Sequence, residues 1–457
     1  MTSASSRQGD ARSTSERARR ALVAGSVGNF IEWYEFGVYG FFATILASNF
    51  FATTGSSPVE DLVKTYASFA LAFFFRPVGA ALFGRLGDRI GRRPTLILVL
   101  VLMAGATTLI GVLPTRETIG AAAPLLLTLV RILQGLSAGG EFGGAVSIMT
   151  EFAPPGKRGL YGSFQSFTVA LGLLAGAGLA ALLSSVLTAE QLGDWGWRIP
   201  FLLALPLGLV ALWLRLRLEE TPAFVAAHSA RDAAATPTPD AAAAPASASA
   251  STVVERPSAG QTLRVILLGV GRIMGWSAAG YTFLVVLPSY LQTTLNATFQ
   301  AALIATVLGN LGFALVIVPA GWLSDRIGRR PLMVTGAALI TVLALPLINV
   351  LQSDQVGATG KGAAVFAAGA VVGLMAGPGP AMLSEMFPTT VRYTGLGLSY
   401  SLSNAVFAGS AGLIITETVE LTGDADIPAY YVMATCIVSV FALLTLRGDD
   451  HRRALVG

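Results

Sequence analysis

The chain has 457 residues, of which 53% are hydrophobic and only 12% are charged. Soluble domains carry about 25% charged residues, so this composition excludes a water-soluble enzyme and a disordered chain. A disulfide-rich fold is also excluded, because the sequence contains one cysteine. A run of about 20 apolar residues spans a bilayer, and the chain is therefore predicted to be a multi-pass membrane protein.

The first twenty residues are polar and end in Arg17, Arg19 and Arg20, and apolar sequence begins at Ala21. The apolar stretch that follows is longer than the core of a signal peptide and contains acidic residues. We therefore expect a retained first membrane span rather than a cleaved leader.

Apolar runs between turn and charge signals predict an all-α membrane protein with twelve transmembrane helices in two six-helix bundles related by pseudo-two-fold symmetry. The approximate bounds are 20–50, 60–84, 94–113, 121–151, 158–187, 197–217, 262–295, 299–323, 331–351, 363–387, 392–421 and 427–447. Residues 218–260 are rich in Ala, Pro and Ser, which predicts a flexible cytoplasmic linker. The predicted domains are a tail (1–19), a first bundle (20–217), this linker, a second bundle (261–447) and a tail (448–457).

Lysine and arginine concentrate on one side of these predicted helices. The other side receives only Lys64, Arg116, Arg198 and Lys361. Cytoplasmic loops carry the excess of positive charge, so both termini are predicted to lie in the cytoplasm, with the protein in the cell inner (plasma) membrane. The net charge of +4 is dispersed among apolar segments and does not indicate nucleic-acid binding.

Two motifs recur once in each half of the chain. GRLGDRIGRRP at 84–94 returns as GWLSDRIGRRP at 321–331, both in predicted cytoplasmic loops, and a glutamate–arginine pair returns at 151–158 and 385–392. The arginines alone are explained equally well as topological anchors, but the aspartates are not. The motifs therefore predict a cytoplasmic latch that locks one packing of the two bundles. Its residues are Asp88, Arg89, Arg92, Arg93, Glu151, Arg158, Asp325, Arg326, Arg329, Arg330, Glu385 and Arg392.

These motifs resemble the signature of a known superfamily. The paired DRIGRRP segments look like the signature loop of the major facilitator superfamily, and further stretches resemble its metabolite:proton symporter family. They are GNFIEWYEFGVYG (28–40), FRPVGAALFGRLGDRIGRR (75–93), RILQGLSAGGEFGGA (131–145), WGWRIPFLLALPLG (195–208) and LEETPAF (218–224). The resemblance covers roughly residues 20–447.

The resemblance implies alternating access and proton-coupled uptake of a small carboxylate-bearing solute. LPSYL (287–291) and IPAYYVM (427–433) look most like the proline/betaine branch, whereas residues 384–411 are closer to the dicarboxylate branch. We therefore expect an osmolyte such as proline or glycine betaine first, and a di- or tricarboxylate such as 2-oxoglutarate or citrate second. The family also implies that helices 1, 4, 5, 7, 8, 10 and 11 line the central cavity.

Three glutamates fall deep within predicted helices, where a charge costs at least about 2.5–3.5 kcal/mol. Glu32 and Glu35 share one face of the first helix, and Glu141 lies near the middle of the fourth. Hydrocarbon disfavours their charged forms, so they are predicted to take up the coupling proton. The alternative is that each is the structural partner of Arg76, Arg131 or Arg272, or lines a water-filled cavity without a role in coupling. A membrane receptor or scaffold without transport is disfavoured, since it has no reason to keep such acids.

Arginines and aromatic residues supply the candidate solute ligands. Arg131 and Arg272 are predicted to bind the solute carboxylate, because a guanidinium matches a carboxylate; Arg131 is equally compatible with a structural ion pair. Arg76 is interpreted as structural. Tyr34 and Tyr281, together with Trp33 and Trp276, form a possible cation–π site for a quaternary ammonium, against the alternative of ordinary packing. These rings come from the first and seventh predicted helices.

The remaining signals are a helix break and several absences. AGPGP at 376–380 is expected to break the tenth helix. The sequence has no GxxxxGK[ST] motif, and its two histidines, His228 and His451, lie in the linker and the tail. We therefore expect no enzymatic activity, no cofactor, no metal site and no obligate protein partner, with only the solute, H⁺ and the lipid bilayer as partners.

Overall fold

The computed structural model describes residues 23, 26–90, 92–151, 153–154, 156–216, 259–387 and 392–447. Within these ranges the chain is helical apart from short connections. Eleven described helices are long and apolar enough to cross a membrane, and the helical segment 26–51 completes the predicted twelve. The predicted tails (1–19 and 448–457) and all of the predicted linker before Ala259 lie outside the described residues.

The first bundle consists of helices α1 to α6. Their bounds are residues 26–41, Ala43–Leu46 and the π-helical Ala47–Phe51 for α1, Pro58–Ile90 for α2, Arg92–Val112 for α3, Ala122–Ala138 and Glu141–Glu151 for α4, Arg158–Val186 for α5, and Arg198–Leu202 and Ala204–Leu216 for α6. Three shorter segments, Arg116–Ile119, Ala189–Gln191 and the π-helical Leu192–Gly196, lie in the connections.

The second bundle consists of helices α7 to α12. Their bounds are Ala259–Tyr281, the π-helical Thr282–Val286 and Leu287–Thr293 for α7, Phe299–Ile327 for α8, Arg329–Gln352 for α9, Ala358–Ala376 and Gly379–Glu385 for α10, Arg392–Ser403, the π-helical Asn404–Gly409 and Ala411–Thr422 for α11, and Ile427–Leu444 for α12. The fold class predicted from the sequence is confirmed.

Two helix pairs join the bundles: α5 packs along α8, and α2 packs along α11. Small residues permit both approaches. A Cβ atom placed on Gly159 would clash with the backbone oxygen of Gly321, and one placed on Gly412 would clash with the ring of Tyr66. Close backbone contact of this kind is how helices associate inside a membrane, where the hydrophobic effect supplies little drive.

The repeated DRIGRRP motif is helical, and its prediction as a loop is wrong. α8 continues through this segment to Ile327, and α9 begins at Arg329. The helices are separated by Gly328 alone, whose φ of 96° is a backbone conformation that favours glycine. α2 likewise continues to Ile90. The charged residues of this motif predicted that the helices end there. They are helical in the structure where polar partners are available to them.

Helix irregularities recur at equivalent places in the two bundles. α10 is broken at Gly377 and Pro378, which confirms the break predicted from AGPGP, and α4 is broken at Gly139 and Gly140. Each of these is the fourth helix of its bundle. The first helices, α1 and α7, both contain a π-helical turn, a rare element that is frequent at functional sites.

Candidate functional site

A small cavity lies between the bundles, near the middle of the helices that form it. It is lined by side chains of α1, α5, α7, α8 and α11, whereas α4 and α10 supply none of its lining residues. The volume open to the centres of water molecules is about 30 Å³, enough for about two waters. None of the described residues that line it carries a formal charge.

Five of the described residues that line this cavity are aromatic: Trp33, Trp276, Tyr281, Phe313 and Tyr400. Trp33 of α1 lies 5.9 Å from Tyr281 of α7 between ring centroids, and Trp276 of α7 lies 6.1 Å from Tyr400 of α11. Three of these rings were candidates from the sequence, and Tyr400 was missed. A signal for it existed, because Tyr400 and Asn404 are four residues apart and therefore share one helix face.

The cavity is closed where α5 begins and α8 and α10 end, which we name the latch end. Asp325 of α8 accepts hydrogen bonds from the backbone N–H groups of Gly159 and Leu160, at 2.7 and 2.8 Å. The carboxylate thereby caps the positive end of α5 across the bundle interface. Nearer the cavity, the hydroxyl of Ser166 donates to the carbonyl oxygen of Ala376 at 2.8 Å.

Four of the predicted latch residues meet at this end, and we name them the latch cluster: Arg158, Asp325, Arg329 and Glu385. Arg329 lies 2.8 Å from Asp325 and 3.0 Å from Glu385, and Arg158 lies 3.3 Å from Glu385, so Glu385 links the two bundles.

Two other predicted latch residues point elsewhere in this structure. Arg326 packs over the ring of Trp322, and Arg330 donates to the carbonyl oxygen of Leu446. The remaining latch side chains, Asp88, Arg89, Arg92, Arg93, Glu151 and Arg392, lie outside the described residues.

The opposite end of the cavity is closed as well. The hydroxyls of Tyr66 and Ser289 are 2.7 Å apart, which joins α2 to α7. Thr44 of α1 donates to Gln292 of α7 at 3.2 Å. The two bundles therefore touch above and below the cavity, and the structure is an occluded one.

Two buried ion pairs lie within the first bundle. Glu32 of α1 faces Arg76 of α2 at 3.3 Å, and Glu141 of α4 is paired with Arg215 of α6. Sequence reasoning missed Arg215, which lies at the cytoplasmic end of the sixth predicted helix. Its side chain instead turns back into the bundle, where it is 4% exposed. The position of Arg215 at the end of a predicted helix does not indicate that it pairs with Glu141.

Glu35 contacts no cationic side chain in the described part of the chain and ends a chain of hydrogen bonds instead. Thr107 donates to Glu35 Oε2, Gln134 donates to Thr107, and Arg131 donates to Gln134, each at 2.6 Å. Glu35 Oε1 is buried and has no hydrogen-bond partner among the described residues. This carboxyl group is thus oriented at one oxygen and unsatisfied at the other.

The structure brings only one of the four predicted solute ligands to the cavity, namely Tyr281. Arg131 is buried inside the first bundle, with its guanidinium 4.1 Å from the ring of Tyr39. Arg272 donates to a hydroxyl just beyond α12 at 2.9 Å. Tyr34 donates to a carbonyl oxygen of α6 at 2.8 Å.

Comparison with known proteins explains this arrangement of helices. The family described as "Sugar (and other) transporter" matches residues 21–447. The D-glucose-analogue complex of XylE, a proton:xylose symporter of the major facilitator superfamily, superposes with a TM-score of 0.73 at 18% identity, over 94% of this chain and 95% of that one. The chain belongs to the major facilitator superfamily. The family resemblance found in the sequence is confirmed, while the likeness to XylE at this identity concerns the fold alone.

Curated relatives of this facilitator-superfamily member are bacterial transporters. A proline/betaine transporter of Escherichia coli (strain K12) is 34% identical over 95% of this chain and 85% of its own length. A glycine betaine/proline/ectoine/pipecolic acid transporter, OusA of Dickeya dadantii (strain 3937), is 35% identical over 94% of this chain and 82% of its own length. This facilitator-superfamily member is therefore a multi-pass membrane transporter.

Proposed function

We propose that the protein is a proton-coupled symporter that takes up small zwitterionic osmolytes, such as proline and glycine betaine, by alternating access. The observation that carries the proposal is the closed cavity between the bundles, whose wall presents aromatic rings and no formal charge. A quaternary ammonium is attracted to the faces of Trp and Tyr, by about 2 kcal/mol when desolvated. The names of the relatives, which mention proline, betaine and ectoine, support the same solutes.

A di- or tricarboxylate fits this cavity less well. Burying a carboxylate without a charged or hydrogen-bonding partner is costly. A solute with two carboxylates brings two negative charges, and the described lining residues supply hydroxyls, an amide, rings and aliphatic groups but no cation. A zwitterion brings its own compensating charge into the cavity.

We place proton uptake in the acid pair Glu32 and Glu35. Both side chains are buried, at 4% and 0% exposure, and they lie about one helical turn apart. The unpartnered oxygen of Glu35 offers a position for the proton, since a neutral carboxyl is cheaper to bury than a carboxylate. Glu141 is less suited, because Arg215 already neutralises it. Arg131 then acts as a positioning residue through Gln134 and Thr107.

Transport requires that one end of the cavity open while the other stays closed. We infer that the latch cluster opens on one side, and the α1–α7 and α2–α7 contacts open on the other. The breaks in α4 and α10 and the π-helical turns in α1 and α7 are the places where the helices bend. We also place both termini in the cytoplasm of a bacterial inner membrane, from the distribution of lysine and arginine.

Uptake by sealed liposomes tests the proposal. Purified protein is reconstituted, a pH gradient that is acidic outside is imposed, and radiolabelled proline, glycine betaine, 2-oxoglutarate and citrate are compared. We expect proline and glycine betaine to accumulate above equilibrium and a protonophore to abolish the accumulation. Accumulation that survives collapse of the pH gradient would disprove proton coupling, and selective uptake of 2-oxoglutarate or citrate would overturn the proposed solute.

A further inference from the structure

The guanidinium of Arg76 lies directly behind the wall of the cavity. Arg76 is 2% exposed, and its guanidinium carbon lies 4.2 Å from the ring centroid of Phe73 and 4.3 Å from that of Phe36. It is also 5.7 Å from the ring of Trp33, which lines the cavity. A positive charge is therefore held one aromatic ring away from the space between the bundles.

Arg76 has donors that the described residues leave unused. Neither Nε nor Nη2 of its side chain has a hydrogen-bond partner, although Nη2 lies 3.3 Å from Glu32 in an ion pair. Arg215 in the same bundle is different, since it pairs with Glu141 and also donates to the carbonyl oxygen of Leu96 at 2.7 Å. Unused donors on a buried cation are costly, so Arg76 is prepared for an acceptor that is absent from the occluded structure.

A second unsatisfied group marks the way from the cavity to Arg76. Tyr281 lines the cavity, and its hydroxyl is buried with no hydrogen-bond partner among the described residues. Its ring packs on Phe73 at 5.4 Å, the same ring that contacts the Arg76 guanidinium. Phe73 therefore contacts both residues, and each of them has a buried donor from which a carboxylate oxygen can accept.

We propose that Arg76 and Tyr281 form the binding site for the carboxylate of the transported solute, and that this carboxylate replaces Glu32 at Arg76. The inference rests on the proposed function, because it assumes a solute that combines a carboxylate with an ammonium. A guanidinium holds a carboxylate through two parallel hydrogen bonds. With the carboxylate at Arg76, the ammonium a few ångströms away faces the rings of Trp33, Tyr281 and Tyr400.

Exchange at Arg76 ties solute binding to the proton. Glu32 loses its cation when the solute arrives, and a buried carboxylate without a partner favours its protonated form. Other charged or titratable groups also face Glu32 from the packed helices. They are Arg76 of α2, Glu141 of α4, Arg215 of α6, Tyr281 of α7 and Tyr400 of α11, with Glu35 on its own helix. Because Arg215 is held by Glu141, Arg76 is the cation that Glu32 gives up.

Glycine betaine and choline separate the carboxylate from the ammonium in an experiment. Both carry a trimethylammonium group, and choline has a neutral hydroxymethyl group where betaine has the carboxylate. Binding of radiolabelled glycine betaine to purified protein is measured with choline as competitor. We expect Arg76→Gln to weaken betaine binding about 10- to 100-fold and to leave the affinity for choline unchanged. Tyr281→Phe should weaken betaine binding to a smaller extent.

Two further variants and a control keep this test decisive. The double variant Glu32→Gln/Arg76→Gln removes both charges of this ion pair together and should show the same loss, even where the single variant folds poorly. Glu32→Gln alone should bind betaine at least as tightly as wild type, with an affinity that depends less on pH than that of wild type. Arg198→Gln is the control for loss of a positive charge, because Arg198 of α6 donates to the carbonyl oxygen of Leu113 near the end of α3; it should keep the preference for betaine.

The outcomes distinguish this inference from the proposed function. If the wild-type protein binds neither betaine nor proline, the proposed function fails. If wild type prefers betaine over choline and Arg76→Gln and the double variant keep that preference, the proposed function stands and the carboxylate site at Arg76 is overturned.

Discussion

The buried glutamates of the first bundle have different interaction partners, and these partners indicate different roles. Glu141 has a cation whose other donors are used, so the pair is complete without a ligand. Glu32 is paired with Arg76, whose Nε and Nη2 have no hydrogen-bond partner among the described residues. Glu35 is held by a hydroxyl and retains an unpartnered oxygen. Proton coupling belongs to the two sites that are incomplete, because a complete ion pair gains nothing from a proton.

The variant Glu35→Gln tests the coupling role at the residue scale. The glutamine side chain keeps the volume and can still accept the hydrogen bond from Thr107, but it has no ionisable group, so the charge at this position no longer depends on pH. We expect accumulation driven by a pH gradient to fall by about 10-fold or more, while exchange of labelled for unlabelled solute across liposomes without a gradient persists.

Glu117→Gln is the matched control for that measurement, because Glu117 is an exposed acid in a short connecting helix. It should accumulate solute as the wild type does. Full gradient-driven accumulation by Glu35→Gln would remove Glu35 from the coupling step.

At the scale of helices, the sequence predicts what depends on length and hydropathy and misses what depends on a distant partner. Twelve spans and the break of α10 follow from apolar run length and from a Gly-Pro segment. The helical path of the DRIGRRP motif does not, because Asp325 and Arg329 are stabilised by contacts with α5 and α10. Those contacts join residues that are far apart in the chain, so the local sequence does not predict them.

The site shows the same division. Trp33, Trp276 and Tyr281 were found as aromatic residues on predicted spans, and they do line the cavity. Arg215 and the position of Arg272 could not be found, since each depends on which way a long side chain turns after the helices pack. A flexible cation near a helix end reaches either water or the bundle interior, and only the neighbouring helix decides between them.

The single residue between α8 and α9 allows a test of an element boundary. Gly328 has a φ of 96° and a ψ of 163°, a conformation that costs a residue with a Cβ about 1–3 kcal/mol. We expect Gly328→Ala to lower the midpoint of thermal unfolding and to weaken the latch end, because Arg329 follows directly. The measurement is thermal unfolding of the purified protein in detergent.

Gly397→Ala is expected to raise the midpoint of thermal unfolding in the same measurement. Gly397 lies inside α11, and a Cβ added there meets nothing within 4 Å. Alanine should therefore raise stability by about 0.5–1 kcal/mol, since glycine is the poorer helix former. Equal stability of Gly328→Ala and wild type would show that the chain relaxes into another connection between α8 and α9.

For the whole molecule, the question is what holds the occluded state closed at each end. The end opposite the latch cluster is joined by neutral side-chain hydrogen bonds and ring contacts. The latch end is joined by charges and by a carboxylate that caps a helix of the other bundle. Charge-assisted hydrogen bonds are roughly twice as strong as neutral ones, so the latch end is the more strongly held of the two.

Asp325→Asn should therefore shift the whole molecule toward a state that is open at the latch end. Asparagine keeps an acceptor for one backbone N–H of α5 but loses the negative charge that its dipole favours. A loss of about 0.5–2 kcal/mol corresponds to an open population about 2- to 30-fold larger.

A cysteine at Ala381, a fully buried position of α10 that packs against Gly162 of α5, reports this opening through its rate of alkylation in a Cys436→Ser background. We expect the rate to rise within that range in Asp325→Asn and to stay at the wild-type value in Asp354→Asn, an exposed acid beyond the far end of α9. An unchanged rate in Asp325→Asn would mean that the remaining contacts, the Glu385 ion pairs and the Ser166–Ala376 hydrogen bond among them, hold the latch end closed without the helix cap.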